Sequence, residues 1–321
     1  MRNLKMMALS ALFVCTPIIA HLENVVYLFA HGLYNDYTLA YYYENIRRPH
    51  ELYIINNNEL GLGHIPHHSH RWSIDDQDDM RLWIIQQPLY TFNFPDATRK
   101  GFDGNETSLG QENEIKALAN AYEYIKHNTI VVMGYSRGAA TVLNWLGTKK
   151  PTHIAAAIVE SPYDSITNAL DFFCKTAGVG WIPYSILYTS PNLFFGKFNH
   201  KGIFPIKVVQ QIDPNIPLLI IASLEDALVP AHNTANIYTR LLQYGHQHVY
   251  FLLLEKGTHG YLLESYDAHI YLNTVHAFYK KYDLPHNKAF AAQGEKILAQ
   301  CQPSKKEVDE ALQNKKSFIK R

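Results

Sequence analysis

Short apolar runs recur along the chain and alternate with segments of helical periodicity. Runs typical of buried strands cover 25–30, 51–56, part of 82–94, 129–135, 154–161, 217–223 and 248–255. Apolar residues at helical spacing cover 112–127, 137–150, 235–245 and 266–282. Buried strands separated by helices form β-α-β units, so the pattern predicts an α/β fold with a mostly parallel sheet and helices on both faces.

Glycines mark two of the predicted helix ends. The helix that follows residue 136 is expected to end near Gly147, because Pro151 comes shortly behind it. Gly245 is expected to stop the helix over 235–245.

Two segments break the alternation. Residues 163–212 are rich in aromatics without a clean period, which predicts an inserted cap over one end of the sheet. Residues 285–321 are polar and rich in lysine, which predicts a C-terminal helical tail, either a surface helix or a frayed end. The expected organisation is therefore one α/β domain over 21–284, with the cap at about 163–212, followed by the tail.

The N-terminus has the pattern of a secretory signal peptide over 1–20. A basic start precedes a short apolar stretch that ends in Ala20. This favours a secreted or periplasmic protein, while a buried N-terminal element and lipid attachment at Cys15 remain as alternatives. Cys174 and Cys301 are left after removal of residues 1–20, either as one disulfide or as two free thiols.

Composition excludes some classes of function. The chain has 29 Lys and Arg against 29 Asp and Glu among 321 residues. A balanced charge without a basic stripe argues against nucleic acid as a partner. No stretch after the N-terminus is long and apolar enough for a stable membrane span. Nothing in the sequence indicates the oligomeric state.

Ser136 stands between Gly134 and Gly138 at a strand-to-helix junction. Gly-x-Ser-x-Gly in that setting is the pattern of a nucleophile elbow, a sharp turn that raises a serine hydroxyl above the sheet. The glycines relieve crowding where neighbouring backbones pass close to the turn. Ser136 is therefore the candidate nucleophile.

A serine nucleophile needs a base and an acid that orients the base. Asp226 follows the predicted strand over 217–223, and His259 follows the strand over 248–255. Both lie at the strand ends where open α/β sheets place their sites. Glu225 is the competing acid, and Asp226 is preferred.

The reaction also needs donors for a developing oxyanion. The backbone N–H of Arg137, directly after the nucleophile, is one candidate. The N–H of Leu33 is the other, because His31 and Gly32 follow the first strand. The Arg137 side chain is expected to form a structural salt bridge in preference to binding a substrate carboxylate.

The chain resembles the α/β-hydrolase superfamily over about 25–282. The matching motifs are HGL at 31–33, GYSRG at 134–138, SLEDALVP at 223–230 and GTHG at 257–260. FPDA at 94–97 is similar to the loop after the superfamily's fourth strand, and 205–230 is similar to the serine aminopeptidase and prolyl-oligopeptidase-like branches.

The resemblance implies a serine hydrolase without cofactor or metal. It would cleave an ester, thioester or amide through an acyl-enzyme, acting on a small molecule or short peptide with an acyl group. The alternatives are a serine peptidase of the aminopeptidase or prolyl-oligopeptidase type and a non-catalytic binding protein with the same fold.

Two further features are expected to be structural. The histidines and aspartates within 64–79 contain metal-ligand types, but their crowding favours a surface loop. Asp164 precedes a helix-like segment and is expected to cap it, although a second acid near the cap is the alternative.

Overall fold

The centre of the molecule is a sheet of eight strands. A computed structural model describes residues 25–32, 52–56, 61–63, 88–98, 101–168, 196–199 and 201–320. The sheet has the order β10-β9-β8-β7-β1-β4-β2-β3, and every neighbouring pair is parallel except β2 with β3. The strands are β1 Val25–Ala30, β2 Leu52–Asn56, β3 Gly61–Gly63, β4 Leu89–Phe92, β7 Thr129–Tyr135, β8 Ile154–Glu160, β9 Leu218–Ser223 and β10 Val249–Leu254. A separate pair contains β5 Ala97–Thr98 and β6 Gly101–Phe102.

Seven α-helices lie in the described ranges. They are α1 Glu112–Ile125, α2 Arg137–Lys149, α3 Pro205–Val208, α4 Ala231–Gln243, α5 Ala268–Lys281, α6 Lys288–Leu298 and α7 Lys305–Asn314. Short 3-10 turns cover Gly104–Glu106, Val209–Gln211 and Leu262–Glu264. The α/β class predicted from the apolar pattern is confirmed.

Alternate side chains of each strand belong to cores on opposite faces of the sheet. From β1, Val26 and Leu28 join the core that includes α1, α2 and α4, whereas Tyr27 and Phe29 join the core that includes α5 and α6. Both faces are therefore buried, which explains why the strands are continuous apolar runs.

The prediction that α2 ends near Gly147 is confirmed to within two residues, but Gly147 is not the residue that ends the helix. The helix continues to Lys149 and ends at Lys150, which has a left-handed backbone with φ 49°. A Cβ at Gly147 would lie 2.6 Å from the carbonyl oxygen of Val208. Glycine is therefore present because another segment packs against this helix, and it does not terminate the helix.

The C-terminal segment is helical, as predicted, but it is neither a single surface helix nor a frayed end. α6 packs along α5, and α7 packs against α4 on the other face of the sheet. The backbone between them crosses the outer edge of β10, where the N–H of Phe251 donates to the carbonyl of Cys301 at 2.6 Å. The segment therefore covers an edge strand that would otherwise expose unpaired backbone groups.

The described parts of the cap segment pack beside the ends of the central strands. Tyr163, Phe198 and Phe204 form a small core with Ala140 of α2 and Val229 of the loop after β9. The remainder of the predicted cap, 169–195 and residue 200, lies outside the described residues, so the cap boundaries stay a prediction.

Several other predictions concern residues outside the described ranges. These are the signal peptide over 1–20, Cys15, Leu33, the histidine and aspartate segment over 64–79, and Cys174. Cys301 is a free, buried thiol, and its burial raises its pKa well above the usual range. None of the helices in the described ranges combines the length and the apolar character that a membrane-spanning helix needs.

Candidate active site

Ser136 occupies the junction between β7 and α2. Its backbone has φ 53° and ψ −117°, a conformation that non-glycine residues rarely adopt. The turn is held from the sheet side, because the N–H of Ser136 donates to the carbonyl of Glu160 at 2.8 Å. The residue is 8% exposed. The predicted strand-turn-helix setting of the serine is therefore present.

Both flanking glycines are required by close backbone approaches. A Cβ at Gly138 would lie 2.0 Å from the carbonyl oxygen of Ala30 in β1. A Cβ at Gly134 would lie 2.7 Å from the carbonyl oxygen of Gly138. The turn is therefore pressed between β1 and its own helix, which leaves Ser136 little room to move.

His259 reaches Ser136 from the loop after β10. Its Nε2 lies 2.9 Å from Oγ of Ser136. Gly257 and Gly260, on either side of it, have φ of 123° and 81°, which favour glycine and let the loop turn back over the sheet. The imidazole also contacts the ring of Tyr135 at 5.1 Å between centroids.

Asp226 meets the other side of the imidazole. Its Oδ2 lies 2.7 Å from Nδ1 of His259, and its Oδ1 accepts the N–H groups of Leu228 and Val229 at 3.0 and 2.8 Å. A carboxylate only accepts hydrogen bonds, so Nδ1 carries the imidazole proton and Nε2 is left to accept the hydroxyl of Ser136. This tautomer is the one that a general base for serine requires.

The competing acid, Glu225, is turned away from the imidazole. Its carboxylate binds Nζ of Lys256 at 2.6 Å and accepts the N–H of Gly257 at 3.1 Å. The hydrogen bond from Lys256, followed by that from Gly257, lowers the pKa of Glu225. Glu225 thus joins the loop after β9 to the loop after β10, while Asp226 contacts the histidine.

One of the two candidate oxyanion donors is described. Arg137 is the first residue of α2, where backbone N–H groups have no partner within the helix and the helix dipole favours negative charge. Leu33, the other candidate, lies outside the described residues, but His31 and Gly32 directly before it are described.

His31 is buried and neutral. Burial, reinforced by the charge of Arg137, lowers the pKa of His31 from 6.5 to about 3. Its Nε2 accepts the N–H of Phe94 at 3.1 Å, so Nδ1 carries the proton and donates to the carbonyl of Gly32 at 2.9 Å. The imidazole therefore links the end of β1 to the loop after β4.

The side chain of Arg137 forms the expected structural salt bridge. The guanidinium is 1% exposed and pairs with Asp96, while Oε1 of Glu114 lies 3.5 Å from the same nitrogen. It also donates to the carbonyl of Gly32 at 3.0 Å and contacts the ring of Phe94 at 4.6 Å. A guanidinium held in this way is not available to a substrate carboxylate.

Two acids near the site were not singled out from the sequence. Glu114 carries a detectable signal, because it lies one and two turns before Leu118 and Ala121 on the buried face of α1, where a charge is unexpected. Asp267 accepts the N–H groups of Glu255 and Lys256 at 2.9 Å each and so holds the start of the histidine loop. Nothing in its local sequence indicates that contact.

Asp164 has a structural role. Its oxygens accept the N–H of Ser165 and the side-chain amides of Asn168 and Asn236. The helical residues 166–168 are capped by Ser165 instead, whose Oγ accepts the N–H of Asn168 at 3.3 Å, so the prediction that Asp164 is the cap is wrong. In the ranges that the structure describes, no three His, Cys, Asp or Glu side chains gather in a way that would hold a metal ion.

The sequence model of the prolyl oligopeptidase family, Peptidase_S9, matches residues 99–283, which is more than half of the chain. The chain belongs to the prolyl oligopeptidase family. It is therefore a serine hydrolase of the α/β-hydrolase superfamily, as the motifs at 134–138 and 257–260 imply. No curated protein sequence matches the chain.

Solved structures of hydrolases share the fold of this family member. An esterase of Pyrococcus furiosus has a TM-score of 0.53 at 17% identity, over 80% of this chain and 82% of its own. An acylaminoacyl peptidase in complex with Z-Gly-Gly-Phe-chloromethyl ketone has a TM-score of 0.50 at 18% identity, over 83% of this chain and 38% of its own. At such identities the likeness is one of fold.

Proposed function

We propose that this family member hydrolyses an acyl bond, either an ester, a thioester or an amide, through a covalent intermediate on Ser136. The observation that carries the proposal is the continuous hydrogen-bonded chain from Asp226 through His259 to Oγ of Ser136, at 2.7 and 2.9 Å. The three residues come from three separate loops at one edge of the sheet. A protein that only binds a ligand does not need a serine, a histidine and an aspartate in hydrogen-bonded order.

The reaction follows from the protonation states. Nε2 of His259 takes the hydroxyl proton as Oγ of Ser136 attacks the substrate carbonyl. Asp226 stabilises the imidazolium that forms, and the N–H groups of Arg137 and Leu33 receive the developing oxyanion. His259 then gives the proton to the leaving group. Water, activated by the same imidazole, releases the acid and restores Ser136.

A peptidase is the second candidate, because membership of the prolyl oligopeptidase family favours it. The acyl-enzyme route is the same for an ester and an amide, so the triad does not separate the two. The leaving group is selected by the residues that line the site around Ser136.

A substrate panel tests the proposal. Short- and long-chain p-nitrophenyl esters and aminoacyl-p-nitroanilides are assayed with the wild type and with Ser136→Ala. We expect turnover of at least one class by the wild type and its loss in Ser136→Ala. Ser304→Ala, at the exposed start of α7, is the matched control and should keep full activity. Turnover that survives Ser136→Ala would contradict the proposal.

A further inference from the structure

Tyr135 is the last residue of β7 and directly precedes the nucleophile. Its side chain is 6% exposed and belongs to the core that includes α5 and α6. β7 lies in the interior of the sheet, because it pairs with β1 on one side and with β8 on the other. The ring of Tyr135 therefore extends from the same firmly held strand as Ser136.

Two parts of the Tyr135 side chain approach the histidine loop. The centroid of its ring lies 5.1 Å from that of the His259 imidazole, with 43° between the two planes. Its hydroxyl oxygen would lie 2.5 Å from a Cβ at Gly260, and its Cζ would lie 3.1 Å from the same position. Tyr135 thus fills the space beside the imidazole and the space beside the next residue of the loop.

Glycine is needed at position 260 for two separate reasons. Its φ of 81° favours glycine, and any side chain there would also meet the hydroxyl of Tyr135. At Gly257, the other glycine of the loop, a Cβ would instead meet Leu262 at 2.8 Å and Ser265 at 3.2 Å. The loop therefore comes closest to Tyr135 at the histidine itself.

The hydrogen bonds of the imidazole leave one motion unrestrained. Nδ1 of His259 donates to Asp226 and Nε2 accepts from Ser136, and both nitrogens lie in the plane of the ring. Contacts within that plane do not stop the ring from tilting about the line that joins the two nitrogens. A tilt would misalign both hydrogen bonds, whose strength depends on their angle. A side chain packed against the imidazole limits this tilt, since close-packed interiors leave little free space.

We propose that Tyr135 is a positioning residue for the general base, whose ring keeps the His259 imidazole in the plane in which Nε2 meets Oγ of Ser136. One strand then carries the nucleophile and also the surface against which the base packs. The inference rests on the proposed function, because it concerns the base named there. A displacement of about 1 Å at a catalytic group can cost about a hundredfold in rate, so the contact should matter for kcat.

The first experiment compares Tyr135→Phe with Tyr135→Leu on the p-nitrophenyl ester or anilide that the wild type hydrolyses fastest. Tyr135→Phe keeps the ring, so kcat should stay within about twofold of the wild type. Tyr135→Leu stays apolar but lacks the flat ring, so kcat should fall at least about tenfold while KM changes less than about twofold. Equal kcat values in the two folded variants would overturn the inference.

The second experiment keeps an aromatic ring in the core, so it serves even if Tyr135→Leu does not fold. In Gly260→Ala the new Cβ must displace the Tyr135 hydroxyl, and kcat should fall at least about tenfold. Adding Tyr135→Phe removes that oxygen and leaves Cζ as the nearest atom of the ring, so kcat should return to within about threefold of the wild type. Gly257→Ala is the matched control. Tyr135→Phe should not restore it, because its Cβ meets Leu262.

The outcomes separate the inference from the proposed function. A loss in Gly260→Ala that Tyr135→Phe does not reduce would come from the backbone conformation alone. That result would overturn the inference and leave the triad proposal intact. A wild type that turns over no ester or anilide would instead remove the proposed function, and the inference with it.

Discussion

The two halves of the active site are built differently. The Ser136 half lies between β7 and α2, and it is fixed by backbone contacts to Ala30 and by the buried charges around Arg137. The His259 half consists of two loops joined by hydrogen bonds to Asp267 and by an exposed pair of Glu225 and Lys256. The nucleophile is therefore part of the core, whereas the base and the acid lie on loops that pack onto it.

This difference predicts which changes reduce stability and which reduce only the rate. A substitution near Ser136 must disturb the core, so it should lower the free energy of unfolding. A substitution in the histidine loop should leave the core intact and act on catalysis alone.

His259→Ala should abolish nearly all turnover without unfolding the protein. Loss of the general base lowers kcat by about six orders of magnitude. The free energy of unfolding should change by about 1 kcal/mol, since the side chain, although only 10% exposed, belongs to a loop outside the two apolar cores. Steady-state kinetics and urea titration measure the two effects. A loss of several kcal/mol would show that the histidine half is part of the core after all.

Gly138→Ala, in contrast to His259→Ala, should lower the free energy of unfolding. The new Cβ would lie 2.0 Å from the Ala30 oxygen, and the overpacking should cost about 3 kcal/mol. This outweighs the ~1 kcal/mol that alanine gains over glycine in a helix. Gly245→Ala is the control: nothing lies within 4 Å of its Cβ, so only its φ of 82° should cost about 1 kcal/mol. Equal losses of unfolding free energy in the two variants would contradict the close approach of the Ser136 turn to β1.

His31 should make the nucleophile half sensitive to acid. Its pKa is lowered to about 3 in the folded state, so the unfolded state binds the extra proton between pH 3 and 6.5. Its contribution to stability is therefore complete above about pH 6.5 and is lost as the pH falls towards 3. His31→Gln should remove up to about 1.4 kcal/mol per pH unit from the slope of unfolding free energy in that window. An unchanged slope in His31→Gln would contradict this prediction.

Glu225→Gln should have the smallest effect. The exposed pair with Lys256 is worth less than about 1 kcal/mol, so kcat should fall about two- to threefold while KM and stability stay nearly constant. Glu295→Gln is a matched control, because its pair with Lys280 has the same 2.6 Å length but lies on α5 and α6. A tenfold loss of kcat in Glu225→Gln would mean that the contacts of Glu225 with Lys256 and Gly257 determine the position of the imidazole.

Local patterns were enough to predict seven of the eight strands of the sheet, the four helices α1, α2, α4 and α5, and the chain order of Ser136, Asp226 and His259, whereas β3 was missed. Each of these features depends on residues close in sequence: an apolar run, a glycine turn, or a polar residue at a strand end. The preference for Asp226 over Glu225 rests on the resemblance to α/β-hydrolases, whose acid has the same spacing to the Val229-Pro230 pair.

Contacts between segments far apart in the sequence could not be predicted from local patterns. Gly147 lies near the predicted helix end, but glycine is needed there because Val208, some sixty positions away, packs against the helix. The burial of the C-terminal segment depends on the free edge of β10, which no feature of that segment reveals. The partners of Arg137 come from two separate loops and a helix, and only the misplaced charge of Glu114 gave a signal.

Labelling with a fluorophosphonate probe reports whether Ser136 is an activated nucleophile. We expect one covalent adduct, located on Ser136 by peptide mass spectrometry, that is absent in Ser136→Ala and formed far more slowly in His259→Ala. Folded wild-type protein that remains unlabelled, or that carries the adduct on another residue, would contradict it.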